Sequence, residues 1–246
     1  MHKRDTLLAA LALLAVWEIL AILLNRDILP APTAVLVAFV VQVPRGLGWH
    51  FVVSAWRVVA SIALSIVLAT PAGLVLGQYP TINRFFAPVV YLTYPIPKIV
   101  LLPIVLLFFG IGDASKIAII FLILFFQVLV VVRDQASALR PELLYSVRSL
   151  GAGRRALLRF VYLPATVPAI LTAIRLSIGT AIAVLFFTET FATNAGLGYY
   201  IIVDTFQRLA YAEMYAGVVA MSLLGLVLYF VVDYLERMLC PYLFAK

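Results

Sequence analysis

Polar residues interrupt this chain only at wide intervals, and the apolar stretches between them are long. The runs 6–24, 58–77, 85–109, 115–132, 167–188 and 214–232 have the length and uniformity of membrane spans, since about 20 mostly apolar residues cross a hydrocarbon core of roughly 30 Å. They are too long and too evenly apolar for barrel strands. Backbone in hydrocarbon must satisfy its own hydrogen bonds, so each run is predicted to be helical. The expected fold class is an all-α membrane protein, a polytopic bundle of about six transmembrane helices with one long loop, 133–166, between the fourth and fifth. No repeat, low-complexity tract or polar linker divides the sequence, so residues 1–246 are expected to form one domain.

Composition sharpens this picture. With 65% apolar and 12% charged residues and a mean hydropathy of +1.12, the chain lacks the polar surface of a soluble domain of its size. The first run follows Lys3 and Arg4, as a signal peptide would. Its apolar core is longer, however, and Asn25-Arg26-Asp27 stands where small residues would mark cleavage, so an uncleaved helix is expected. The single cysteine, Cys240, excludes an internal disulfide, and His2 and His50 lie too far apart to suggest a metal cluster.

Charge sets the expected orientation. With the N-terminus inside, the inner segments hold Lys3, Arg4, Arg84, Arg133, Arg140, Arg148, Arg154, Arg155, Arg159, Arg237 and Lys246, eleven of the 18 basic residues. The positive-inside rule then places both termini and the 133–166 loop in the cytoplasm. In the outer segment that follows the first run, Thr33 is read as the N-cap of a short apolar helix lying at the interface, too short to span.

The loop carries an internal pattern. Pro141 opens a helix that places Leu143, Leu144, Val147 and Leu150 on one face. Glu142, Tyr145, Ser146, Arg148 and Ser149 take the other. Gly151 and Gly153 end it. A second short helix, 154–162, carries Arg154 and Arg155 until Pro164 closes it. Two short amphipathic helices joined by a glycine elbow form a knob suited to a groove on another protein.

This segment resembles the cytoplasmic loop signature of bacterial ABC-importer permeases: Glu-Ala-Ala, three residues, Gly, nine residues, an aliphatic, one residue, Leu-Pro. Gly151, Val161, Leu163 and Pro164 stand at the right spacing, while Tyr145, Ser146 and Val147 replace the Glu-Ala-Ala. Glu142, one turn earlier, is the nearest acid. "LPAPTAV" (29–35), "PKIVLLPIVLLFFGIGDASKI" (97–117), "SLGAGRRALLRFVYLPATVPAIL" (149–171) and "AGLGYYI" (195–201) are similar to the nitrate/sulfonate/taurine (NitT/TauT) permease group, in its order. The resemblance implies a permease in the bacterial inner membrane that works with a second permease copy, two cytoplasmic ABC ATPases and a periplasmic or lipid-anchored solute-binding protein. It implies that the loop residues Glu142, Tyr145, Ser146, Arg148, Gly151, Arg154, Arg155, Leu163 and Pro164 dock the ATPase. The solutes it implies are nitrate, sulfonates, taurine, bicarbonate or pyrimidine precursors.

The chain has no Gly-x-x-x-x-Gly-Lys-Ser/Thr cradle for phosphates. It is therefore expected to bind no cofactor and perform no bond chemistry, with ATP and Mg2+ used by the partner. An ionisable residue within a span costs about 2.5–3.5 kcal/mol and needs a reason. Arg175 either lines the pathway or snorkels to the interface, and Lys98, beside Pro97, is read as an interfacial anchor. Glu189 in "FFTETF", with Thr190, Asn194, Gly196 and Gly198, reads as a polar rim at the outer mouth or as a solvated helix end. Pro95, Pro97 and Pro103 break the third run, and freed carbonyls there are tolerated where they line a cavity. The competing function class is a gradient-driven secondary transporter or channel, against which stands the lack of inverted repeats and of a buried carboxyl chain.

Overall fold

The structure, a computed structural model of the chain, describes residues 3–191 and 193–243. His2 and Lys246, which entered the reading of metal ligation and charge bias, lie outside them. Every regular element among the described residues is helical. The helices are α1 (Lys3–Leu24), α2 (Pro32–Gln42), α3 (Gly48–Gln78), α4 (Pro80–Thr93), α5 (Leu102–Phe109), α6 (Asp113–Ser137), α7 (Pro141–Ser149), α8 (Arg154–Leu157), α9 (Leu163–Thr190), α10 (Leu197–Tyr199) and α11 (Tyr211–Leu239). The residues gather into two compact units, 1–55 with 186–224 and 56–185 with 225–246.

Among the described residues four helical stretches are long and apolar enough to cross a membrane: Pro32–Gln78, Asp113–Ser137, Arg154–Thr190 and Tyr211–Leu239. They contain four of the six expected runs, and α1 contains the run 6–24. The run 85–109 is broken, as its prolines led one to expect. It is not one straight helix, because α4 and the segment Lys98–Phe109 are bent by 82° across Pro95 and Pro97. Tyr94 keeps helical angles (φ −57°, ψ −49°), but Pro95 and Pro97 have no N–H to carry the ladder on and Pro97 is extended (φ −70°, ψ +97°), which ends α4 here.

Two boundaries also move. Thr33 is not an N-cap: Ala31 holds that position, Pro32 opens α2, and no side chain caps it. The short helix then runs through a π-helical turn at Val43–Leu47, kinked at Gly46 (φ +141°), into α3. Pro164 does not close the second loop helix either. The π-turn Leu158–Tyr162 leads from α8 into α9, whose second residue is Pro164.

In the second unit, α3 and α6 pack through a stripe of small residues. Ser61, Ser65, Ala69, Gly73 and Gly77 recur every four positions on one face of α3. Ser61 and Ser65 donate to Ile117 O at 3.2 Å and Phe121 O at 3.3 Å. A Cβ on Gly73 would lie 2.8 Å from that of Val132, and one on Gly77 would lie 2.5 Å from that of Ala136. Lipid is as apolar as leucine, so such close backbone contact, rather than hydrophobic drive, holds helices together in a membrane. Ile119, Ile120, Leu124, Val128 and Val132 of α6 are buried. In the first unit, Trp17 of α1 donates from Nε1 to Pro30 O at 3.1 Å and packs on Tyr215 at 5.8 Å.

Candidate functional site

The 141–164 segment stands out by its exposure. Pro141 occupies the first turn of α7, and Glu142 lies in that turn where an acid favours the helix dipole. Gly151 follows at φ +83° with nothing within 4 Å of a Cβ, so backbone conformation alone selects glycine there. Glu142, Tyr145, Ser146, Arg148, Arg154 and Arg155 are exposed. The expected apolar face is only partly covered: Leu144 and Val147 are half-buried, but Leu143 and Leu150 are exposed, Leu150 at 86%. Leu163 and Pro164 are exposed as well, and Pro164 O accepts a hydrogen bond from the Tyr242 hydroxyl at 3.2 Å. Charged residues, an aromatic and two uncovered leucines thus lie on one turn-joined element.

The first unit encloses a polar cluster that divides the expected rim. Thr190 is half-buried and Asn194 exposed, whereas Glu189, Gly196 and Gly198 are buried. Ser54 Oγ lies 2.9 and 2.8 Å from the two Glu189 carboxyl oxygens and donates to them, while it accepts from the Leu197 N–H at 2.8 Å. Gly198 N–H donates to Glu189 Oε2 at 3.0 Å. Gly196 N–H donates to His50 Nδ1 at 3.0 Å, which leaves the His50 proton on Nε2, 3.3 Å from Asp204 Oδ2. Tyr199 and Tyr200 pack on the imidazole at 5.9 and 5.5 Å. The Tyr200 hydroxyl is pushed up to about 12, chiefly by burial and then by the Glu213 and Asp204 carboxylates, so it stays a neutral phenol.

The glycines here serve closeness rather than flexibility. A Cβ at Gly196 (φ +121°) would sit 2.3 Å from Glu189 Cδ, and one at Gly198 would sit 2.7 Å from the Phe186 carbonyl. Glu189 is a strut that ties the 196–198 turn to α3, not an exposed rim acid. Sequence reading missed Ser54, His50 and Asp204. Their only early signal was polarity within or beside apolar stretches, and Ser54 is 135 residues from its partner.

In the second unit Arg175 is half-buried and ion-paired with Glu236 and, at 3.4 Å, with Asp233, its guanidinium 5.7 Å from the Tyr229 ring centre. Asp233 also pairs with Arg237 at 3.0 Å. Arg175 therefore ties α9 to α11, and its charge is met within the protein. Arg57 is buried and bonds Asp113, the first residue of α6, at 2.6 Å. Among the described residues no group of His, Cys, Asp and Glu could hold a metal ion.

Comparison with known proteins places this arrangement. The family model described as binding-protein-dependent transport system inner membrane component matches residues 61–242, which include the exposed segment and both α3–α6 glycines. The chain is 29% identical to the taurine transport system permease protein TauC of Escherichia coli, over 94% of its own length and 86% of that protein. It is 33% identical to a putative ABC transporter permease protein of Methanocaldococcus jannaschii, over 90% and 85%. Among solved structures, the inward-facing MetNI methionine ABC transporter superposes with a TM-score of 0.62 at 18% identity, over 78% of this chain and 95% of that one, a likeness of fold.

Proposed function

Since this chain belongs to the family of binding-protein-dependent transport system inner membrane components, we propose that it lines the solute pathway of an ATP-driven importer and passes the work of partner ATPases to that pathway. It is a multi-pass ABC transporter permease of the NitT/TauT type, a transport subunit and not an enzyme. The solute we assign is a small anion or small polar organic molecule of the sulfonate kind, as the name of the taurine permease suggests. The partners are a second copy of the chain, two cytoplasmic ATPases that hold ATP and Mg2+, and a solute-binding protein on the opposite face. Both termini lie in the cytoplasm, where the basic 133–166 segment also sits.

One observation carries the coupling: the exposed knob of α7 is joined through Gly151 to a helical stretch that continues without interruption from Arg154 to Thr190. A push on α7 by a closing ATPase pair is delivered to the base of a membrane-crossing helix, because π-turn and α-helix share one hydrogen-bonded column. Glu142, Tyr145, Ser146, Arg148, Arg154 and Arg155 are the docking contacts, and Leu163 and Pro164 mark where the knob enters the bilayer. Tyr-Ser-Val at the usual Glu-Ala-Ala place makes that contact less acidic, with Glu142 the acid that remains. Arg175, Glu189, Gly196 and Gly198 act on the pathway mainly by fixing the helices around it, while Thr190 and Asn194 stay on its outer rim.

The test is to purify the tagged chain gently from cells that express it with its neighbouring transport genes. ATP hydrolysis that co-purifies, and uptake into vesicles that stops on ATP depletion, are the expected results. Uptake that persists without ATP and collapses with an ion gradient would overturn the reading.

A further inference from the structure

Lys98 has a surrounding that an interfacial anchor does not require. It follows the break between α4 and α5, and its ammonium donates to Tyr94 O at 2.5 Å while lying 5.4 Å from the Tyr94 ring centre and 4.9 Å from that of Phe126. Two aromatic faces and a carbonyl hold a cation well. They cancel none of its charge, and no carboxylate among the described residues pairs with it. A lysine ammonium has three donors, of which the carbonyl uses one.

Beside it is a cavity of about 300 Å³ lined by Tyr94, Lys98, Phe126, Gln127 and Thr180, with Ile and Val side chains completing the wall. Gln127 Oε1 is buried there without a hydrogen-bond partner. A half-turn of the amide exchanges that oxygen for an NH2 donor with no change of shape. The lining then offers an ammonium, an amide and a hydroxyl from three different segments, all able to donate, beside an apolar wall. A half-buried cation with no carboxylate partner, set in an apolar stretch of the chain, marks a functional position, and the volume lies at the low end of small-molecule pockets.

We propose that this cavity is an anion subsite of the pathway, with Lys98 as its charge and Gln127 and Thr180 as its polar clamp. Its ligand is a small monovalent organosulfonate, the oxygens toward Lys98 and the carbon chain against the apolar wall. This rests on the transport reading above and names the residues that would meet the solute.

The test uses the full chain in proteoliposomes, with Thr180→Cys as reporter and Gln127→Cys as a second should the first misfold. Native Cys240 is buried, and the unsubstituted chain sets the background. Labelling by the sulfonatoethyl methanethiosulfonate reagent is compared with that by its trimethylammonioethyl counterpart. The expected result is about a tenfold preference for the anionic reagent, lost in Lys98→Gln and kept in Lys98→Arg, as one nearby charge would produce. Methanesulfonate should slow the labelling where equal chloride does not.

A preference unaffected by Lys98→Gln would overturn the proposal, and so would failure of both reporters to react. Protection by phosphatidylglycerol vesicles but not by methanesulfonate would make the ligand a lipid headgroup and overturn it too. None of these readouts needs the ATPase. No anion preference in the reporter chains that keep Lys98, with ATP-driven uptake by the assembled complex intact, removes the subsite alone, whereas a preference present in uptake that does not depend on ATP removes the importer reading.

Discussion

Gly196 and Glu189 show how tightly single residues are specified in the first unit. The φ of +121° at Gly196 is strained for any L side chain, and its Cβ would overlap the Glu189 carboxyl. Gly196→Ala should therefore cost roughly 2–4 kcal/mol, the sum of a left-handed conformation and overpacking, read as a lower unfolding temperature of the purified chain. Ser54→Ala removes a donor from Glu189, and Glu189→Gln removes an acceptor from Ser54 or Gly198. Each should cost about 1–3 kcal/mol. Because they act on one hydrogen bond, the double variant should cost less than the sum of the two. Full additivity in a thermal-unfolding cycle would show that the two side chains do not act together. The sequence made Glu189 and its glycines visible as an unusual polar group near a helix end. It could not show that a serine 135 positions away completes the bond, because nothing local in either segment depends on the other.

At the scale of elements, the same logic of closeness governs α3 and α6. Leucine at Gly73 or Gly77 should force the helices apart, since even a single Cβ meets Val132 or Ala136 inside 3 Å. Overpacking of that kind costs roughly 1–3 kcal/mol or more, and protease sensitivity of the membrane-inserted chain would report it; unchanged protection would mean that the contact is loose. The elbow at Gly151 behaves differently, for its Cβ would meet nothing. Gly151→Asn, which tolerates left-handed angles, should keep most transport. Gly151→Pro, with φ fixed near −65°, should abolish transport while leaving membrane insertion intact. Normal uptake by a well-expressed Gly151→Pro chain would separate α7 from coupling. Helical periodicity announced α7 and its ending glycine. It missed that the next helix runs on through Pro164, since proline is accommodated in the first turn of a helix and a π-turn precedes it.

For the whole molecule, the exposed apolar surface is the informative quantity. Leu107, Phe108, Tyr91 and Leu176 are each more than three-quarters exposed within one chain, surface that suits lipid or, in the paired assembly proposed above, another copy. Leu176 lies on α9, the helix that the knob feeds. With two copies in the assembly, Leu176→Cys should give a covalent dimer on mild oxidation of membranes, and buried Cys240 should not. A purified assembly with one copy of this chain beside a different permease would replace the pair by a heterodimer.

What the sequence determined by itself was everything that depends on local composition: which stretches enter the membrane, that they are helical, and where the basic knob with its glycine lies. The NitT/TauT resemblance was also written in contiguous motifs. Helix formation and membrane partition are decided residue by residue along one segment, and such properties survive in a linear pattern. Tertiary structure alone decided that Glu189 is an internal strut, that Arg175 is met by Asp233 and Glu236, and that Lys98 faces a cavity with Gln127. Each of these turns on which distant side chain arrives at 3 Å, and in a membrane that is settled by close packing and by the partners available to a buried polar group.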